Sequence, residues 1–285
     1  MLGGGGAVTI TGGKLLLDNS TTSPSVSYTG GGTLTLPELA FGYDPWSGGV
    51  TFGGRVRLDG DVSSAKKITL ANGSVLSGAP QNLGTVPLTL NNGWLKPTSS
   101  GTYSSPVTMN GSALFMDVPE GVNASLANVN NAKSFVKIGK GTLSLVGTGS
   151  FFLGNASIGD INAGNFTFPT DGTTPSAGCA AGNIFGGRVV LGREGQSISC
   201  NGNEFWVGGH PVLDANGDPQ DAQLDICGGS FSVGNYFGVG RTRSDAPTNN
   251  GRLTRRPNYT VNIYDGNVTV THFLINYCTD YKQCA

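Results

Sequence analysis

The sequence predicts an all-β fold of the solenoid type, in which short strands wind into coils and the coils stack. Three observations carry this. The chain has 285 residues, 47 of them Gly, and Gly, Ser, Thr and Asn together make up about 43%. Glycine costs a helix about 1 kcal/mol per residue, and Ser, Thr and Asn compete with helical backbone hydrogen bonds. Even a long stretch free of Gly and Pro, 122–138, is full of Asn and β-branched residues. Second, hydrophobic residues reach 37% and the formal net charge is −1, so there is core material and disorder is disfavoured. The glycines have no three-residue period, which excludes collagen. Third, one short phrase recurs along the chain.

The phrase is apolar, Thr, apolar, a spacer, Asn or Gly, Gly, and a return to apolar. It stands as Val8-Thr9-Ile10, Val50-Thr51-Phe52, Ile68-Thr69-Leu70, Leu88-Thr89-Leu90 and Val107-Thr108-Met109. The starts at 50, 68, 88 and 107 are 18, 20 and 19 residues apart, and the step from 8 to 68 spans about three such units. Apolar–polar–apolar is strand alternation, with two side chains facing in and one out. The Asn-Gly or Gly-Gly that follows accepts the positive φ of a sharp corner. One coil cannot bury its own apolar face, so stacking must make the core. A β-sandwich would instead show hairpin pairs every 8–12 residues. At roughly 20–25 residues per coil the chain is expected to form about 11–13 coils and a rod of about 50–60 Å.

The second half keeps the phrase but spaces it unevenly. Copies begin at Ile198, Leu224 and Val261, with steps of 26 and 37. The surplus length is expected to leave the coil as loops, 209–223 and 241–257. Phe52-Gly53-Gly54-Arg55-Val56-Arg57-Leu58 returns nearly unchanged as Phe185-Gly186-Gly187-Arg188-Val189-Val190-Leu191. The rhythm breaks over 169–182. The expected organisation is therefore one continuous solenoid, regular over 1–168 and with longer insertions over 169–285.

Near-zero charge predicts no general affinity for nucleic acid. No run of 18 apolar residues exists to cross a membrane as a helix. The start, Met1 to Ala7, does not read as a signal peptide, and a fragment of a longer exported chain is expected. Cys179, Cys200, Cys227, Cys278 and Cys284 form no Cys-x-x-Cys pair, which argues against zinc. Their odd number argues against a closed disulfide framework, leaving buried thiols, at least one disulfide and a reactive thiol as the alternatives, with buried thiols expected first.

The segment Phe135-Val136-Lys137-Ile138-Gly139-Lys140-Gly141-Thr142-Leu143-Ser144-Leu145, followed by Ile161-Asn162-Ala163-Gly164, resembles the autotransporter-associated β-strand repeat. Gly32-Thr33-Leu34-Thr35-Leu36 is a shorter echo, and Ser230 to Arg241 is similar to strand repeats of large secreted bacterial surface proteins. The resemblance implies a right-handed parallel β-helix passenger region displayed at the cell surface. It implies a scaffold without catalytic residues. The translocator barrel that ends such proteins is absent from this sequence.

Catalytic, cofactor and metal residues are therefore expected to be none, and the partners to be surface glycans or other cell-surface proteins. The alternatives are a carbohydrate-active β-helix enzyme and a phage or viral fibre segment. A glycosidase needs two carboxylates about 5–10 Å apart, and the usual Asn-Thr-Asp, Asp-Asp and Gly-His-Gly signatures of such enzymes are missing. Gly209-His210-Pro211 is a poor substitute, and His272 follows a strand phrase. Asp214, Asn216 and Asp218, with Asp225 at loop position twelve, partly match a calcium loop, but Pro219 replaces its required glycine. A polar insertion is the expectation there. Arg241, Arg243, Arg252, Arg255 and Arg256 lie in one segment. Solvated arginines that keep a sheet face from aggregating are expected, against a clamp for anionic sugars. Trp46, Trp94, Trp206, Tyr236 and Phe237 are expected in core or corner stacking rather than as sugar platforms.

Overall fold

The structure is a computed structural model. It describes residues 8–9, 15–17, 25–28, 34–36, 39–41, 50–62, 65, 67–71, 73–110, 114–130, 135–146, 149–152, 180–191, 196–200, 204–208, 218, 220–242 and 257–278. The chain is all-β, and its one helix among the described residues is a four-residue turn, α1 (Pro80–Leu83). One sheet joins twenty strands and a second joins two. Every described pairing is parallel. Parallel neighbours separated by about twenty residues are what stacked coils produce and what hairpins cannot.

The pairings resolve into three ladders. Ladder A begins with β3 (Ser25–Tyr28) and the first half of β6 (Val50–Leu58), then β7 (Ile68–Leu70), β9 (Leu88–Leu90), the second half of β11 (Gly101–Met109) and the end of β13 (Asn123–Asn130). Val50 pairs with Ile68, Ile68 with Leu88 and Leu88 with Val107, so the spacing of the sequence phrase is the register of the sheet. A later section of the same kind runs through β16 (Gly149–Phe152), β19 (Gln196–Cys200), β21 (Ala222–Thr242) and β22 (Tyr259–Cys278).

Ladder B runs the length of the molecule. It passes through β1 (Val8–Thr9), β4 (Leu34–Leu36), the end of β6, β8 (Val75–Gly78), β10 (Trp94–Pro97), β12 (Leu114–Asp117) and β14 (Phe135–Ile138). It continues through β17 (Ala180–Ile184) and β20 (Glu204–Val207) to β21 and β22. Ladder C is first the two-stranded sheet of β2 (Leu15–Leu17) and β5 (Leu39–Phe41). It resumes in the first halves of β11 and β13, then β15 (Thr142–Leu145), β18 (Gly187–Leu191) and the starts of β21 and β22. Helix α1 takes the same place in the chain, between a ladder B strand and a ladder A strand.

Three details differ from the sequence reading. Val8 pairs with Leu34, and Leu34 with Val56, so the first phrase lies in ladder B and not in the ladder of Ile68. Ile198 pairs with Phe231 rather than Leu224, whereas Leu224 does pair with Val261. A three-residue alternation marks a strand with one face inward but not which of three faces it lies on. The twin phrases also turn different corners. Residues 50–58 run as one strand from ladder A into ladder B, while 184–191 break between ladders B and C, with Gly187 at φ +65.

Strand β20 ends at Val207 and β21 begins at Ala222; β21 ends at Thr242 and β22 begins at Tyr259. Most of the two expected insertions, 209–217, 219 and 243–256, lies outside the described residues. Ladder registers step by 46–47 residues across 153–179 in all three ladders, as at Lys137–Ile184, Thr142–Arg188 and Phe151–Ile198. The ladders thus continue across this segment in the same order.

The inward rows form one core. In ladder B it stacks Val56, Leu76, Leu95 and Met116, then Ile184 and Val207; in ladder A it stacks Phe52, Leu70, Leu90 and Met109. Burying each such side chain contributes about 1.5–3 kcal/mol. Later coils fill it with Phe205, Phe231 and Phe237, whose rings meet edge to face at 5.1–6.0 Å. A second buried row lies on the opposite side of ladder B. It holds Val75, Trp94, Phe115, Val136 and Trp206, with the rings of Trp94 and Phe115 4.9 Å apart. Trp94, Trp206 and Phe237 are therefore packing residues, as expected.

Candidate functional site

Several polar features of the described residues gather where the chain passes from ladder B to ladder C in the middle of the sheet. Register places Lys137 inward, between Met116 and Ile184 in an otherwise apolar row. Its side chain is fully buried. The ammonium donates to the carbonyls of Gly139 at 2.5 Å, Gly141 at 2.8 Å and Gly186 at 2.7 Å. Three donors meet three acceptors, so the buried charge is satisfied. Burial pushes the Lys137 amine down to about 7, against the attraction of Asp117. Asp117 is itself buried and accepts from Lys96 Nζ at 2.5 Å.

This corner explains the Lys-x-Gly-x-Gly-Thr phrase physically. The glycines let backbone lie against backbone. A Cβ on Gly141 would stand 2.1 Å from the Pro119 carbonyl oxygen, and one on Gly139 2.3 Å from that of Val118. The Arg188 N–H then donates to the Gly141 carbonyl, and the Gly187 N–H to that of Asp221, which ties successive ladder C segments together.

On the outer side of the same corner lies an open groove of about 450 Å³. Lys140, Arg188, Asp221, Gln223, Asn258 and Thr260 supply its polar lining. They lie on or beside four consecutive ladder C strands, β15, β18, β21 and β22, so the groove runs across that ladder. Beneath it Asp225 is fully buried. Its Oδ2 accepts from Arg188 Nε at 2.5 Å and also from Nη2, and its Oδ1 accepts from Gln223 and Asn262, each at 2.8 Å. Burial alone would raise this carboxyl. The hydrogen bonds from Gln223, Asn262 and Arg188, with the guanidinium charge, outweigh that and hold it below its ordinary value. Asp225 is thus an ionised strut with both oxygens engaged.

The groove presents two cations, one carboxylate, two amides and a hydroxyl. Among the described residues Asp221 is the only acid lining it, and its Oδ1 accepts the Asn258 N–H at 2.8 Å. The described lining of the groove thus holds no pair of carboxylates of the kind glycoside cleavage needs. Amides and hydroxyls in an open trough suit hydrogen bonding to a hydroxylated ligand.

The other residues singled out in the sequence are scattered. Asp218 is half-buried, while Asp214 and Asn216 lie outside the described residues. Asp225, the twelfth position of the supposed calcium loop, is committed to Arg188, Gln223 and Asn262, and no metal-type cluster occurs among the described residues. Arg241 is the penultimate residue of β21, and Arg243, Arg252, Arg255 and Arg256 lie outside the described residues, as do Trp46, His210 and 161–164. His272 is exposed, its ring 5.0 Å from that of half-buried Tyr236. Cys200 is a buried free thiol pushed up to about 12 by burial, and Cys227 is free and exposed. Cys179 and Cys284, and the side chain of Cys278, lie outside the described residues. The sequence reading missed Lys137 as a buried group, Arg188 and the strut at Asp225. Only the register, and not the run Phe135-Val136-Lys137-Ile138, marks Lys137 as inward.

Compared with known proteins, the chain matches no family model, no curated protein and no solved structure. Among the described residues no helix is long and apolar enough to cross a membrane.

Proposed function

We propose that the chain is a non-catalytic, extracellular segment of an autotransporter-like bacterial surface protein, serving as stalk and adhesive surface. In this reading it is a right-handed β-helix of about eleven coils, one for each ladder B strand, forming a rod of about 50 Å. The nearly universal right hand of parallel crossovers supports the handedness. The observation that carries the proposal is the run of ladder B from β1 to β22, with the polar groups spent on holding it together. Asp59, Asp117, Glu204 and Asp225 are each held by a neighbouring side chain. The groove along the ladder B–C corner then offers cell-surface glycans a line of hydrogen-bonding groups without a catalytic pair.

The test is binding and turnover measured together. The chain is titrated with neutral and acidic surface polysaccharides by calorimetry, and the mixtures are assayed for new reducing ends and unsaturated sugars. Binding without product is expected. Gln223→Ala with Asn258→Ala should weaken it about tenfold, or about 1.4 kcal/mol. Steady product release would overturn the non-catalytic reading, and failure to bind any surface glycan would overturn the adhesive one. Protease digestion of intact cells tests the compartment: the segment is expected to be cleaved without lysis.

A further inference from the structure

The groove over ladder C has a fixed step. Register sets Thr142, Arg188, Gln223 and Thr260 in one row, on β15, β18, β21 and β22 in turn. The residues that follow them, Leu143, Val189, Leu224 and Val261, pack into the core, so this row points outward. Arg188 and Thr260 are exposed, and Thr142 and Gln223 are half-buried. Successive members stand one strand spacing apart, about 4.8 Å. Each offers a hydrogen-bonding group to the outside. Arg188 gives Nε and Nη2 to Asp225, which leaves Nη1; Gln223 gives Nε2 to the same carboxylate, which leaves Oε1. Thr142 and Thr260 bring hydroxyls. The buried Asp225 thereby fixes the orientation of the two middle members.

A ligand that repeats at this step meets one such group per unit. A sugar ring linked through opposite ring carbons, as in a β-1,4 chain of glucose, extends as a ribbon. It advances by about one strand spacing per residue. An α-1,4 chain of glucose curls and loses the match. The charges select among the ribbons. Lys140 and Arg188 stand against Asp221 in the described lining and Asp225 beneath it, two groups of each sign. Arg188 is already paired with Asp225, so these groups leave no net charge to draw an acidic chain, and such a chain would meet Asp221.

We propose that the groove takes a neutral, extended, β-linked polysaccharide laid across ladder C, with one sugar residue on each of β15, β18, β21 and β22. This rests on the reading of the groove as a glycan-binding surface, and it adds the class of glycan, its direction and its step.

The experiment is calorimetric titration of the full chain with β-1,4-linked glucose oligomers of two to six residues. The α-1,4-linked glucose tetramer and the β-1,4-linked mannuronic acid tetramer serve as the curled and the acidic comparison. Affinity for the β-linked series should rise about fivefold per added sugar, the worth of one net hydrogen bond, and level off at four. It should be insensitive to salt. The two comparison tetramers should bind about tenfold more weakly or worse. Thr260→Val removes the hydroxyl at one end of the row from an exposed position, and circular dichroism checks that it folds. It should bind the β-linked tetramer no better than the wild-type chain binds the trimer. Affinity that does not grow with length, equal binding of the α-linked tetramer, tighter and salt-dependent binding of the acidic tetramer, or an unchanged tetramer affinity in Thr260→Val would overturn the proposal. If a surface polysaccharide binds while the β-linked series does not, this proposal falls and the adhesive reading stands. If no glycan binds, both fall.

Discussion

Replacing Lys137 by Met keeps the length of the side chain in the core and removes the ammonium from the three carbonyls it serves. The Gly141 oxygen also accepts the Arg188 N–H, so it retains a donor. The oxygens of Gly139 and Gly186 lose theirs. A buried acceptor stripped of its donor costs about 1–3 kcal/mol, which for two gives about 2–6 kcal/mol. Relief of the buried charge offsets part of this. A net loss of about 3 kcal/mol at pH 7 is expected, a fall in Tm of about 6–12 °C at about 2–4 °C per kcal/mol. The pH dependence is the sharper signature. The folded amine is pushed down to about 7 from its ordinary 10.5, so between those values the unfolded chain holds the proton and the folded chain releases it. Wild-type stability should therefore rise with pH across that window, by at most about 1.4 kcal/mol per pH unit. Below it both states are charged and the dependence vanishes. Urea unfolding followed by circular dichroism at a series of pH values reads both effects. A Lys137→Met protein as stable as wild type, with a gap that stays constant from pH 7 to 10, would refute the buried-cation account.

The remaining predictions concern the corner, the strut and the thiols. Gly141→Ala should destabilise by several kcal/mol because its Cβ meets the Pro119 oxygen at 2.1 Å, while Gly121→Ala, at φ +77 with nothing nearby, should lose only about 1–2 kcal/mol; equal urea midpoints would contradict this. Asp225→Asn should cost about 1–2 kcal/mol, since Arg188 is half exposed and regains water. The Asp225 carboxyl is held below its ordinary 3.8, so its contribution is present above that value and lost as pH falls through the folded value. The variant should lack this acid-labile part, and matching acid titrations of the two proteins would count against the strut. In single-cysteine variants, Cys227 should react with a thiol reagent in the folded state and Cys200 only after unfolding.

Much of the fold was legible because the Val-Thr-Phe, Ile-Thr-Leu, Leu-Thr-Leu and Val-Thr-Met phrases combine two signals. The alternation gives a strand with one face inward, and the return after 18–20 residues gives its partner, so the register from Val50 to Val107 follows directly. Corner chemistry was legible in the same way, as Gly73 at φ +70 and Asn92 at φ +58 turn two of these corners. The face was not legible. Val8 and Ile198 carry the alternation but occupy other ladder positions, because all three ladders need the same strand pattern. The site was less legible still. Lys137 looks like any surface lysine in a strand until register sets it between Met116 and Ile184, and Asp225 gains Arg188 and Asn262 only when strands 37 residues apart meet.

The central claim is that every coil lies directly on the one before it. Arg55 and Leu274, 219 residues apart in sequence, belong to a single ladder B row through Val75, Trp94, Phe115, Val136, Asn183, Trp206 and Gly238. Spin labels at these two positions are therefore eight strand spacings apart, about 38 Å at about 4.8 Å each. Pulsed dipolar spectroscopy should give one narrow distribution centred there. A distance below about 25 Å, as when distant segments fold back beside one another, or a distribution without a defined maximum, would contradict the stack.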